Sequence, residues 1–333
     1  MDIVDFPRLR HFTMLSNSSE EVLHTVVGTE HFELKEFLGS RDTFLNVKRY
    51  FDGRHSIEEI SRITNVDKGD IREIVDQFSE IGILRGEPSN SLLIPKAEFL
   101  QKVKESCLMW QRQIGCHKLF NLLAVKALRK EVLIGLFLET YHYVKSAPEH
   151  TGNALAHCKN ESWKKILVDY LVDEYDHSDY YIDCLVELGI PKERVIQAHP
   201  LIGTSSLLNM LTDIGKKSTL GYLACTSLFE ANKHDFQNST RVVEDIFKLY
   251  GFPLSALSGP LEHLEQDVQM GHNDLLSEAL EDVEFISAED AHYAVNCVHD
   301  LKHSFDQFHD QIIQYYSDIS NYMPRLQVDY YSL

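Results

Sequence analysis

A carboxylate on an apolar helix face is costly to bury unless it is paired or bound to a metal. This chain carries several such residues. In "LVDEYDHSDYYIDCL" (171–185), helical steps from Leu167 and Leu171 lead to Glu174, His177 and Tyr181. Glu174 and His177 stand one turn apart, so both point from the leucine face. Asp173, Asp176 and Asp179 fall off that face and are expected in water. Glu139 shares a stripe with Val132, Leu136 and Tyr143 in "VLIGLFLETYHYV", and His142 follows it by three. Glu230 closes "GYLACTSLFE", on a stripe with Leu223 and Ser227. His263 and Asp267 in "LEHLEQDVQMGHND" are four apart and share a face.

Each residue alone has an ordinary explanation: a surface glutamate, or a helix-surface His–Asp pair. Together they offer Glu139, Glu174 with His177, Glu230, and His263 with Asp267, from four helices. That is the donor set of a carboxylate-bridged dinuclear metal site in a bundle core. Four carboxylates would neutralise two divalent ions. Mixed oxygen and imidazole donors suit iron or manganese, and open positions would admit dioxygen. Tyr143 and Tyr181 are candidates to flank the ligands, with plain aromatic packing as the alternative. His292, His299, His303 and His309 fall on a polar helix near the C-terminus and are expected in solvent. The chain contains no G-x-S-x-G, no G-x-x-x-x-G-K-[ST] and no H-E-x-x-H.

The elements that must position these donors lie in a long helical stretch. From about residue 95 onward the pattern is helical almost throughout, without strand-like alternation, and predicts one all-α domain over 95–333. Continuous helices are expected over 161–188, 254–281 and 288–321, among others. Residues 1–90 differ. "HTVVGTEHFELKEF" (24–37) suits short strands and a turn, and "TFLNVKRYF" a helix stopped by Asp52-Gly53. Ser56 with Glu59 forms a capping box that starts a helix carrying Ile57, Ile60 and Ile63. "IREIVDQFSEIG" is a second helix with Ile71, Ile74, Val75 and Phe78 as its buried stripe. "ILRGEPSNSLLI" reads as a strand, a polar loop and a short extended piece. The fold class expected is therefore mainly α, with a small N-terminal α+β winged-helix domain.

Two resemblances sharpen this. "LETYHYVKSAP", "VDEYDHSDYYIDCLVELGI", "LFEANK" and "HLEQDVQM" occur in the order lone Glu, Glu-x-x-His, lone Glu, His-x-x-x-Asp. Over roughly 130–280 this resembles the haem-oxygenase-like diiron oxidases and oxygenases, relatives of pyrroloquinoline-quinone synthase. The resemblance implies a haem-oxygenase-like helical bundle, two Fe(II) ions (or Mn), dioxygen as co-substrate, and often a homodimer. The pattern departs at Met270, where the family's final histidine stands. A weak second site, His272, or His142 as substitute donor are the three outcomes open there. The segment "FLNVKRYFDGRHSIEEISRITNVDKGDIREIVDQFSEIGIL" resembles the precursor-recognition domain of ribosomal peptide modification systems. It implies that a leader peptide adds a strand to the edge within 24–37 and packs against helix 69–81. Dimerisation is the alternative role.

The combined expectation is an O2-dependent diiron oxidase or oxygenase that modifies an amino acid or a peptide residue. A metal-independent cyclising oxidase and a non-catalytic peptide-binding adaptor are the alternatives. Net charge is −19, and residues 1–90 hold 11 Lys and Arg against 17 Asp and Glu. Such a surface repels phosphates, so no nucleic-acid partner is expected. The apolar runs are too short for a membrane span and the N-terminus has no signal-peptide pattern, so a cytoplasmic location is expected. The six cysteines are scattered without C-x-x-C and are expected to be reduced.

Overall fold

The structure is a computed structural model that describes residues 5–10, 13–15, 23–27, 30–34, 38–84, 92–229, 233–270, 274–328 and 331. The chain divides into two compact units, Met1–Ser91 and Leu92–Leu333.

In the first unit, β1 (Thr13–Leu15), β2 (Leu23–Val27) and β3 (Glu30–Leu34) form an antiparallel sheet in the order β1-β2-β3. Three helices follow: α1 (Arg41–Lys48), α2 (Ile57–Thr64) and α3 (Lys68–Glu80). The capping box opens α2: the Glu59 amide donates to Ser56 Oγ at 3.2 Å, and the Ser56 amide donates back to Glu59 Oε2 at 2.9 Å. Two orphan donors of the first turn are satisfied reciprocally. Ile71, Ile74, Val75 and Phe78 of α3 are all buried, against Phe44, Val47, Ile57 and Ile60. Ile63 breaks its expected stripe and is exposed. Of the strand expected after Gly82, the described residues show a bridge between Leu84 and Leu9; the rest lies outside the described residues.

The second unit is built from α4 (Lys96–Gly115), α5 (Lys118–Ala124), α6 (Lys130–Lys145), α7 (Ala147–His157), α8 (Glu161–Asp173) and α9 (Asp179–Glu187). Then come α10 (Lys192–Ile196), α11 (Ile202–Lys217), α12 (Thr219–Phe229), α13 (Lys233–Tyr250), α14 (Ser258–Met270), α15 (Leu275–Ala279) and α16 (Ala288–Ser317). α11 packs on α7 and α16, α12 on α16, and α14 on α9. No described helix is long and apolar enough to cross a membrane.

Three expectations are corrected. The helix over 161–188 is two helices, α8 and α9, because the chain leaves the helix at Glu174–Ser178. Tyr, Asp, His and Ser there are weak helix formers, and Asp and Ser compete for backbone hydrogen bonds. The helix over 254–281 divides into a 3₁₀ turn (Leu254–Leu257), α14 and α15. The helical unit also contains a strand pair, β4 (Leu93–Pro95) with β5 (Phe285–Ser287). Three-residue strands are too short to show alternation in a sequence.

Candidate metal centre

α6 is a central helix. Val132, Leu133, Ile134, Phe137, Leu138, Glu139, Tyr141, His142 and Val144 are all buried, so its apolar pattern runs round most of its circumference. A stripe cannot show which face of such a helix meets which neighbour. At 100° per residue, Leu136, Thr140 and Tyr143 define one face, and Glu139 sits off its edge.

Glu139 is fully buried and accepts three hydrogen bonds. Leu201 N–H donates to Oε2 at 3.0 Å, Thr204 Oγ1 to Oε2 at 2.5 Å, and Tyr316 Oη to Oε1 at 2.7 Å. Burial raises its carboxyl above the usual range, and the Thr204, Tyr316 and Leu201 hydrogen bonds oppose the rise. Gly135, one turn earlier, admits the Tyr316 ring: a Cβ there would lie 2.2 Å from Tyr316 Cδ2. Glu139 is thus a satisfied structural acid joining α6, α11 and α16, and it is not with the other expected ligands. His142 is buried near Lys145 and His199, and burial pushes its imidazole down to about 4. It does not join them either.

Glu174, His177, His263 and Asp267 do come together. One ligand atom from each of Glu174, His177 and His263 lies within 4.8 Å of the others. His177 Nδ1 is 3.0 Å from Glu174 Oε2 and 3.8 Å from Asp267 Oδ1, and His263 Nδ1 is 3.5 Å from Asp267 Oδ2. All four are buried. Glu174 is the C-cap of α8 and His177 lies in the turn before α9. The shared-face geometry expected of a continuous helix is therefore replaced by a turn that folds the two side chains onto each other. Asp176 and Asp179 are exposed and Asp173 is half-buried. α14 supplies His263 and Asp267 one turn apart. It approaches α9 closely because residue 259 is glycine: a Cβ there would meet the Tyr180 carbonyl oxygen at 2.3 Å.

Glu230 and His272 lie outside the described residues, and of Met270 only the helical backbone is described. Phe229, next to Glu230, lines a small cavity of about 40 Å³ together with Tyr143, His150, Glu174, His263 and Asp267. That volume exceeds the space one water needs. Two carboxylates and two imidazoles converge beside this cavity, with no Lys or Arg among the described residues of its wall, and such donors have the chemistry of a divalent-cation site. The four described donors suit one ion; a second would draw on residues beyond them.

His150 on α7, which no motif in the sequence marks, also lines the small cavity. Its Nδ1 is 2.7 Å from Tyr222 Oη, which also meets Thr151 Oγ1 at 2.7 Å. Such a hydroxyl partner orients an imidazole. Burial pushes His150 down to about 4, with the nearby Glu174 charge opposing. The signal was its spacing from Tyr143, two helical turns, across the nearly continuous α6–α7 joint. Tyr181 packs edge-on to His263 at 5.7 Å, and burial, with the charges of Asp267 and Glu174, holds its phenol protonated.

Beside the cluster lies a larger cavity of about 320 Å³, and Tyr143 and Phe229 line both spaces. None of the described residues that line it is Asp, Glu, Lys or Arg. His309 is one of the lining residues. It is buried, contrary to the expected solvent exposure, whereas His292 and His303 are exposed.

Comparison with known proteins fits this architecture. The model of the C-terminal helix-turn-helix of the GATOR1 complex protein NPRL3 matches residues 39–83, the α1–α3 segment. No curated protein matches the chain. A solved domain of unknown function with a heme oxygenase-like fold from Shewanella denitrificans superposes with a TM-score of 0.53 at 17% identity, covering 69% of this chain and 98% of that one. A TenA homolog from Pseudomonas syringae gives 0.49 at 12% identity, over 69% and 98%. The chain thus joins an N-terminal helix-turn-helix unit with a small sheet to a helical unit of the haem-oxygenase-like fold.

Proposed function

We propose that the helical unit is a non-haem iron oxidase or oxygenase that uses dioxygen to modify an amino acid or a peptide residue, and that the N-terminal unit binds the peptide. The observation that carries this is the buried convergence of Glu174, His177, His263 and Asp267 beside a hydrocarbon-lined cavity. These four residues would hold the metal, with Glu230 and His150 as further donors; manganese is the other ion this donor set takes. Bound Fe(II) supplies the capacity to bind and activate dioxygen. The protein's own part is positioning and exclusion. Tyr143 and Phe229 form the wall common to both cavities, so a substrate in the larger one presents its C–H bonds toward the cluster. The apolar lining keeps water from the reacting carbon. Tyr181 keeps its proton and can donate a hydrogen bond beside His263. Insertion of one oxygen atom into a C–H bond sends the other to water and draws two electrons from an outside reductant.

For the N-terminal unit, β3 is an edge of the described sheet, and α3 exposes Asp70, Glu73, Asp76 and Glu80. An open strand edge suits backbone pairing with an extended peptide, and the acidic helix disfavours DNA.

The test is anaerobic loading of the full chain with Fe(II), metal counting and oxygen uptake, followed by mass analysis of candidate peptides. At least one iron per chain and a peptide of altered mass are expected. No iron, with Glu174→Ala harmless to any peptide oxidation found, would overturn the metal reading. It would favour the metal-independent oxidase, to which the placement of Glu139 away from the cluster already lends weight.

A further inference from the structure

His309 is a buried histidine that the metal cluster does not use, packed against His117, Phe120 and Phe308. It sits on α16, buried, in the wall of the large cavity. Its Nδ1 is buried and has no hydrogen-bond partner among the described residues. Leaving such an atom unmatched is costly, so a polar partner from a ligand would be favoured. The other polar groups on this wall are differently placed. Thr140 Oγ1 is committed to the Leu136 carbonyl at 2.8 Å, Thr240 has an interaction of its own, and Tyr143 and Tyr181 stand at the cluster end. Rings run from Tyr143 to Phe305 at 5.7 Å and from Phe305 to His309 at 6.4 Å. His309 is therefore separated from the cluster end by one aromatic side chain.

We propose that His309 is a substrate-specificity residue: its Nδ1 pairs with one uncharged hydroxyl or carbonyl group of a mainly hydrocarbon ligand in the large cavity. This deepens the oxidase reading by naming the substrate's chemistry, and it rests on that reading only for the identity of the occupant as substrate. No Lys or Arg stands among the described residues of the wall, which disfavours a carboxylate or phosphate at this end. His309 itself offers no charge: burial pushes its imidazole down to about 3, His117 adds to the fall, and Asp310 opposes it. At interior packing density, a cavity of about 320 Å³ holds on the order of a dozen non-hydrogen atoms. A hydrogen bond at His309 would fix which carbon of such a ligand lies near Tyr143 and hence near the cluster.

The test is binding of three probes to the metal-free full chain: naphthalene, 1-naphthol and 1-naphthoate. One neutral hydrogen bond is worth about tenfold in affinity. Naphthol is therefore expected to bind about tenfold tighter than naphthalene, with naphthoate weakest. His309→Phe is expected to abolish the naphthol preference while naphthalene binding stays within about twofold. His309→Gln, which keeps a hydrogen-bonding tip, is expected to retain the preference. Leu264→Trp, which fills the cavity, is expected to lose all three probes. The proposal is overturned if wild type binds none of them, if naphthoate binds tightest, or if His309→Phe keeps the naphthol preference. Because metal and oxygen are absent from the assay, a failure here is distinct from a failure to load iron.

Discussion

Two buried glutamates stand in the same helical unit and meet opposite fates. Glu139 is surrounded by donors: an amide and two hydroxyls aim hydrogens at its oxygens. Glu174 is surrounded by groups that compete for a cation: Asp267 and two imidazoles. A carboxylate ringed by neutral donors is finished, and its work is to hold three helices together. Carboxylates ringed by one another and by imidazoles gain most from a divalent ion. Burial of an acid is thus not the mark of a ligand; the kind of neighbour is.

The largest effects should come from exchanging each glutamate for alanine. Glu174→Ala should weaken Fe(II) binding at least about 100-fold, since it removes a proposed ligand where even outer partners cost 10–100-fold. Its metal-free stability should fall less than that of Glu139→Ala, because losing the His177 contact is offset by removing a charge that faces Asp267. Glu139→Ala should do the reverse. Three buried donors lose their acceptor, at a cost of about 3 kcal/mol and a Tm about 6–12 °C lower, while iron per chain is unchanged. Metal analysis and denaturant unfolding on the same samples read both; iron loss in Glu139→Ala would break the comparison.

Gly259→Ala probes the cluster through its scaffold. A Cβ at 2.3 Å from the Tyr180 carbonyl oxygen must push α14 from α9. A loss of about 2 kcal/mol and a roughly tenfold weaker Fe(II) affinity are expected, measured by unfolding and by competition with a chelator.

The smallest effect is a pH dependence confined to Glu139. Burial raises its folded-state carboxyl above the unfolded value. The folded form then holds the proton longer, so the stability linked to it is present below the usual glutamate range and is lost as pH rises through the raised value. Glu139→Gln should flatten that slope. Urea midpoints of both proteins on either side of the usual glutamate range would show it; parallel slopes would mean the donors hold the carboxylate charged throughout.

Much of the first unit was legible because its signals are local. The Ser56–Glu59 capping box and the stripe Ile71, Ile74, Val75, Phe78 depend on neighbours within a turn or two, and both appear as expected. The pairing of His263 with Asp267 is of the same kind. Glu174 and His177 meet as their spacing predicts, but not through a shared helix face: the helix ends between them, and the turn brings them to 3.0 Å. Glu139, His150 and His309 were illegible in different ways. α6 is buried on most of its circumference, so its periodicity could not say which face a carboxylate takes. His150 and His309 carry ordinary local patterns, and only the elements packed against them decide that one is held by Tyr222 and the other lines a cavity.

By itself the sequence determined the helical and winged textures, the turn chemistry and the supply of acids and histidines, because these follow from side-chain type and short-range spacing. Tertiary structure alone decided which acid meets donors and which meets imidazoles. That choice is made between residues far apart in the chain, Glu139 with Tyr316 and Glu174 with His263 and Asp267, and no local period encodes the contact.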